Sequence, residues 1–418
     1  MSRGDLMVYY GDDGNTYNLT ECVTGQYGHR KLYKINESDN HFAKIFLDKL
    51  SPHDYLLMGL SKLDKNGEIA KFMANIPQVI LYHDKELSKR CGYIIKSVDC
   101  STLLFDIFSG ERSLSIRRRA IVGLNLCEAL ASIHKCSSNS IIIGDLSCNN
   151  IAVNRNNGEV CLINGIFHSS LRCNGRIIKI PCTELHPDYF MPEIVKLLNV
   201  YKGSTLEQLS QNGFTTFTLY TDYYCLAYNL HLLLLNCTPY SCALPTTIVG
   251  KASQPFPPTK MLTMNGYYCY SNLYNKTVLP EYCPDFNILT PKLQELFIRA
   301  FEAGARQPEL RPSPDEFIPA LSEYIESLDF CECDGWNHYI RSKYSCSHCE
   351  WCRVERAAGS FTDFPKQLED IKYMTDIELV AFSRKSKVKS NYYIMKHVKK
   401  ELSRRFPSII WSFTARLK

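Results

Sequence analysis

The segment Ile142-Ile143-Gly144-Asp145-Leu146-Ser147-Cys148-Asn149-Asn150-Ile151-Ala152-Val153 constrains this chain more than any other. Two apolar runs flank a short polar turn, so the backbone must leave a buried element, present a carboxylate and a carboxamide, and return to a buried strand. Asp145 stands five residues ahead of Asn150. Phosphoryl transfer uses that combination. The carboxylate accepts the proton of an attacking hydroxyl, and a carboxamide oxygen on the same loop holds magnesium against the phosphates. Each residue also has a plain explanation, because Asp and Asn are ordinary turn residues.

The 418 residues, 45% of them hydrophobic, support a large buried core and two or three domains. A net charge of +5 is small for this length and says little about partners. The 19 cysteines are mostly scattered singly through apolar segments, which points to thiols in a reducing compartment rather than a disulfide scaffold. Residues Met1 to Tyr10 lack the basic and apolar regions of a secretory signal, so the expected location is cytoplasmic. Cys225 to Leu244 has the apolarity of a membrane span, but Asn229, His231, Asn236 and Pro239 interrupt it. A buried helix and no membrane partner are expected.

Along the chain, Asn18 to Phe46 reads as two or three short strands, with Glu37-Ser38-Asp39-Asn40 as a hairpin-type connection. Phe42-Ala43-Lys44-Ile45-Phe46 is an apolar strand with one embedded lysine, which by itself is an edge or exposed position. Ser51 to Leu63 reads as a helix with Ser51 as cap and Pro52 at its first position. Ile116 to His134 is strongly periodic and helical.

Five segments, in order between about residue 18 and residue 326, resemble the eukaryotic-type protein kinase superfamily. They are the Lys44 strand, the Asp145 loop, Val160-Cys161-Leu162-Ile163-Asn164-Gly165, Asp188-Tyr189-Phe190-Met191-Pro192-Glu193, and Thr221 to Ala227 with the later Arg311-Pro312-Ser313. Gly144 before Asp145, the long loops after Glu193 and Tyr240, and the cysteine-rich tail resemble its bacterial YegI-like branch most. The resemblance implies an α+β bilobal fold over residues 13–326, with an N-terminal antiparallel sheet lobe over about 13–96 and a mainly helical C-terminal lobe over about 97–326.

It further implies transfer of the ATP γ-phosphate to a serine or threonine of a protein substrate, with Mg or Mn. Asp145 would act as base, Asn150 and Asn164 as metal ligands, and Lys44 as phosphate ligand. Gly25 and Gly28 would form the phosphate-cradling loop, and Gly92-Tyr93-Ile94-Ile95-Lys96 the strand and hinge that bind adenine. Glu193 and Arg311 should form an ion pair, and Asp222 should accept backbone amides of the Asp145 loop.

Four departures weaken catalysis. Asn164 stands where the family has Asp and lacks the charge a hard dication prefers. Ser147 stands where most serine and threonine kinases have lysine, so less positive charge faces the transition state. No glutamate lies in Ser51 to Leu63, leaving Asp54 as a substitute, and the glycine loop is sparse. Apart from these four, Gly144 replaces the arginine that grips a phosphorylated activation loop, so any activity is expected not to depend on phosphorylation of that loop. The readings are a slow enzyme, a pseudokinase whose pocket shapes a surface read by a signalling partner, and a nucleic-acid-associated protein acting through its cysteine-rich and basic tail.

In the tail, Cys331, Cys333, His338, Cys346, Cys349 and Cys352 cluster, and Cys349-Glu350-Trp351-Cys352 has the gap by which two thiolates share a tetrahedral zinc. The alternatives are a cysteine-rich coil and a structural zinc ribbon over 327–356, with Cys331, His338, Cys349 and Cys352 preferred as ligands. Residues 357–418 read as a basic helical tail with helices at Phe364 to Val380 and Asn391 to Phe406. Its charge run suits either nucleic-acid binding or a solvated helix face.

Overall fold

The computed structural model describes residues 7–23, 30–36, 38–47, 54, 57–59, 61, 67–74, 76–96, 102–109, 114–136, 141–163, 168–173, 176–180, 186–212, 214, 217–242, 259–271, 279–280, 283–330, 338–340, 349–357, 371–372, 374–384 and 392–406. Six antiparallel strands open the chain: β1 (Met7–Gly11), β2 (Thr16–Cys22), β3 (Arg30–Ile35), β4 (Ser38–Phe46), β5 (Val79–Tyr82) and β6 (Arg90–Lys96). They close into a barrel in the order β1-β2-β3-β4-β6-β5. Closure falls to β1, which pairs with β2 from Met7↔Leu19 to Tyr10↔Thr16 and with β5 through Tyr10↔Tyr82 and Gly11↔Leu81. Register shifts at Leu19/Cys22, Lys34/Ile35 and Leu81/Tyr82 bend the strands as a small barrel requires. The β3–β4 turn is tighter than the expected Glu37–Asn40 connection, because Ile35 already pairs with Ser38.

This corrects the expected fold class. The α+β bilobal kinase architecture needs an open N-terminal sheet lobe, and here the sheet has no free edge. The physical reason is β1, five residues that no sequence period singled out. It satisfies the hydrogen-bonding edges of both β2 and β5, and unpaired edges are what a sheet must otherwise protect.

The strands of the barrel alternate in the two directions that pleating dictates. Leu19, Ile35, Ala43, Ile45, Leu81 and Ile94 fill a separate interior core. Ile80, Tyr82, Tyr93 and Ile95 face outward into the main core, with Phe42 and Phe46 packed against it. Lys44 lies between those two phenylalanines on β4 and so shares their face.

The rest is helical with short sheets. Strand β7 (Thr102–Leu103), helix α1 (Leu104–Phe108) and helix α2 (Ile116–Cys136) come first. Next come β8 (Ile141–Ile142), β9 (Ile151–Val153), β10 (Val160–Leu162), β11 (His168–Cys173) and β12 (Arg176–Ile180). Helices α3 (Pro192–Val200), α4 (Leu206–Gln211), α5 (Leu219–Leu235), α6 (Thr259–Asn265), α7 (Pro291–Ile298) and α8 (Pro314–Ser327) follow. The apolar run from Cys225 belongs to α5, nearly all of which is buried. No helix among the described residues is long and apolar enough to cross a membrane. Backbone bonds from Ala74 to the Leu162 carbonyl and from Leu162 to the Phe72 carbonyl, with one continuous core, join barrel and helical body.

Beyond α8, strands β13 (Leu328–Phe330) and β14 (His338–Ile340) form a hairpin, and α9 (Glu350–Ala357) packs Trp351 and Val354 inward. Helices α10 (Asp376–Arg384) and α11 (Tyr392–Arg405) form a small core of their own around Leu379, Phe382, Val398 and Leu402. Helix α10 begins at Asp376 within the expected Phe364 to Val380 helix, whose start lies outside the described residues. Thr375 and Glu378 exchange backbone and side-chain bonds there in a capping box, which sets the start at Asp376.

A Cβ at Gly92 would run into the Lys44 carbonyl and the Ile45 side chain across the barrel wall. Gly92→Ala should therefore lower stability by about 1–3 kcal/mol through overpacking, read as a lower urea midpoint with an unchanged slope.

Candidate active site

The loop from Ile143 to Asn150 joins β8 to β9, and its two ends are pinned in different sheets. β8 pairs with β11 through His168↔Ile142 and Ser169↔Ile141. β9 pairs with β10 and with β7. Between these anchors the backbone turns sharply at Gly144, whose φ of 74° lies in the left-handed region. A side chain there costs roughly 1–2 kcal/mol, so glycine at this position answers first to backbone geometry.

The turn exposes two amides, and Asp222 on α5 accepts both. Ile143 N donates to its Oδ2 at 2.8 Å and Gly144 N to its Oδ1 at 2.9 Å. His134, near the end of α2, contacts Oδ2 at 2.9 Å through Nε2. Asp222 is fully buried, so these partners replace its lost hydration.

A second set of bonds fixes the far half of the loop. Asn229, two turns beyond Asp222 on α5, donates from Nδ2 to the Leu146 carbonyl at 2.8 Å. The Tyr189 hydroxyl donates to Asn229 Oδ1 at 2.6 Å and accepts from Cys148 N at 3.2 Å. Burial pushes the Tyr189 hydroxyl and the Cys148 thiol up, which keeps both protonated in this setting.

Within this frame, Asn150 donates from Nδ2 to Asp145 Oδ2 at 2.7 Å and to the Asp145 carbonyl at 3.0 Å. The backbone amide of His186 approaches Asp145 Oδ1 at 3.4 Å. Asp145 is half-buried and Asn150 is buried. The pair read from the sequence is brought together, with the carboxamide holding the carboxylate. Ser147 is also buried, and its Oγ is 3.4 Å from Asn150 Nδ2, so it contributes to the loop and adds no charge beside Asp145.

The expected ion pair also forms. Arg311 binds Glu193 in bidentate fashion at 2.8 and 2.6 Å, and donates to the carbonyls of Tyr220 and Gly304 at 2.9 Å each. Its guanidinium lies over the Tyr224 ring, 5.0 Å from the centroid. One side chain thereby ties α3, α5 and the turn before α8.

Lys44 is half-buried on the barrel face turned to the main core, and Asp54 is helical and buried. Gly25, Gly28, Asn164 and Cys331 lie outside the described residues. His338 sits in β14 in register with Phe330, while Cys349 precedes α9 and Cys352 lies within its first turn, both buried. No disulfide joins the described cysteines. In the tail, Arg404 and Arg405 both bind Glu401, and Arg405 also donates to the Met374 and Lys372 carbonyls. Arg405 thereby ties α11 to the start of α10, while the Arg404 bond stays within α11, and Lys396, Lys399 and Lys400 are exposed on that helix.

Sequence reading missed the supports Asn229, Tyr189 and His134, and a buried group of His231, Cys237 and Cys269 whose ligand atoms lie within 4.8 Å of one another. The signal was present at Asn229 and His231, two polar residues in an apolar helix, because a buried polar side chain requires a partner. Burial lowers the His231 pKa to about 3, so its ring is neutral. No protein-family model matches the chain, and no curated protein matches it.

Asp222→Ala leaves the amides of Ile143 and Gly144 buried without an acceptor. The expected loss is about 1–3 kcal/mol for each amide. Native-state hydrogen exchange should register it as faster exchange at both positions. Unchanged protection there would overturn the role given to Asp222.

Proposed function

We propose that this chain is an ATP-dependent phosphotransferase that moves the γ-phosphate to a serine or threonine hydroxyl of a protein, in the manner of the protein kinase superfamily it resembles. The observation that carries the reading is Asp145. It is half-buried, its carboxylate oriented by the Asn150 carboxamide at 2.7 Å, on a loop held by Asp222, Asn229 and Tyr189. A base must be aimed before it is useful, and this one has its geometry fixed independently of substrate.

In this mechanism Asp145 accepts the proton of the attacking hydroxyl. Asn150 keeps Asp145 oriented through Nδ2, and its Oδ1 is the oxygen offered to a magnesium or manganese ion, with Asn164 as the second, uncharged oxygen donor. Lys44, on β4, is the residue that would place the phosphates. The nucleotide and its metal supply the transferable phosphoryl group and neutralise charge developing on it.

A pseudokinase scaffold is the second reading, and one observation favours it. Ser147, at the position where the resembled family carries a lysine beside the transferred phosphate, is uncharged and buried. With Asn164 also neutral, stabilisation of the transition state rests on fewer charges.

Purified full chain incubated with labelled ATP, magnesium or manganese and a mixed protein substrate should transfer phosphate. Asp145→Asn should lower the rate by about 10²–10⁴-fold with an unchanged circular dichroism spectrum. Asn164→Asp should raise it by strengthening metal binding. A parent with no transfer and an Asn164→Asp variant that gains it would instead establish the scaffold reading.

A further inference from the structure

Helix α5 ends at Asn236, which takes a left-handed conformation with φ of 53° and turns the chain back on itself. The turn puts Cys237 beside His231, one and a half helical turns earlier. Cys269, just past α6, and Cys283, ahead of α7, reach the same place. All four residues are buried, His231 completely. One ring nitrogen of His231 and the sulfurs of Cys237 and Cys269 lie within 4.8 Å of one another. The Cys283 thiol interacts with that of Cys237 but lies outside this 4.8 Å group.

Two further features fit a cation better than a plain core. His231 places Nδ1 2.8 Å from the Cys237 carbonyl, while Nε2 is buried with no partner. An imidazole with one nitrogen on a backbone carbonyl and an unsatisfied second nitrogen is the usual arrangement of a metal-ligating histidine. The surroundings are aromatic as well. Tyr268, Tyr270, Phe297 and Phe301 all place their rings between 5.4 and 5.9 Å from that of His231. Sulfur with imidazole selects zinc among the common divalent ions.

We propose that His231, Cys237 and Cys269 form a structural zinc site, with Cys283 moving in beside Cys237 as the fourth ligand of a closed tetrahedron, and that the site staples the end of α5 to the segments before α7. It is separate from the cysteines of the tail and independent of the phosphotransfer reading. Thiolate and imidazole ligation of one Zn²⁺ displaces a proton from each of the three thiols and involves no redox change. With four protein ligands it keeps no position for a substrate.

The test uses the full chain carrying Cys349→Ser and Cys352→Ser, so that any metal bound by the tail pair is removed from the count. Purified under reducing conditions with zinc, it should retain one zinc per chain by elemental analysis. X-ray absorption should show three sulfur neighbours at about 2.3 Å and one nitrogen at about 2.0 Å. Adding Cys237→Ser and Cys269→Ser should take the zinc content from one to none. Because those core substitutions can unfold the protein, cobalt loading of the folded parent background gives an independent reading: a tetrahedral thiolate spectrum is expected. A folded Cys349→Ser/Cys352→Ser protein that binds neither metal, or that shows a Cys237 disulfide after reduction and mass mapping, would overturn the site.

Discussion

The carboxylate of Asp222 is the interaction on which the candidate site depends. The loop that bears Asp145 needs the left-handed turn at Gly144, and that turn strips two consecutive amides of partners within their own backbone. Water cannot serve them, because the region is buried. A single carboxylate with an oxygen for each amide answers both, and His134 occupies the remaining position on Oδ2. A neutral acceptor would satisfy the geometry less strongly, since bonds to an ionised oxygen are shorter and about twice as strong as neutral ones.

Helix α5 is the reason this support is rigid. Asp222, Asn229 and His231 are all buried on it, the first two bonded to the Asp145 loop and the third to the Cys237 carbonyl, so its rotation would break all of these bonds at once. Arg311 clamps its first turn through the Tyr220 carbonyl while engaging Glu193 on α3. A buried ion pair of this kind adds little net stability, because its desolvation offsets its attraction, but it permits few alternative arrangements. The loop is accordingly held by side chains whose own positions are determined by packing, the condition under which a catalytic group keeps its aim.

The barrel contributes a different constraint. Because β1 closes the sheet, its interior is a self-contained core, and only the outer face bearing Phe42, Lys44, Phe46, Tyr93 and Ile95 is left to meet the helical body. The two regions share one continuous core across that face. Any displacement of Lys44 relative to the body must therefore uncover apolar surface, at about 25 cal/mol for each Å² exposed.

Sequence alone determined the local features of the chain. The α2 and α5 helices, the strand around Lys44, the Asp145–Asn150 pairing and the meeting of Glu193 with Arg311 across 118 positions were all legible, because periodicity, turn chemistry and ordered motifs act through residues near one another or through a recognisable series. Tertiary structure alone decided the closed barrel, since β1 has no signal of its own and gains its role only from two edges that approach it from residues 16–22 and 79–82. It also decided the meaning of Gly144, which reads as a missing arginine in the sequence and as a backbone requirement in the fold. The same holds for Asn229 and His231: a sequence shows that two polar residues interrupt an apolar helix, but which carbonyl or thiol each must satisfy depends on segments that only folding brings beside them.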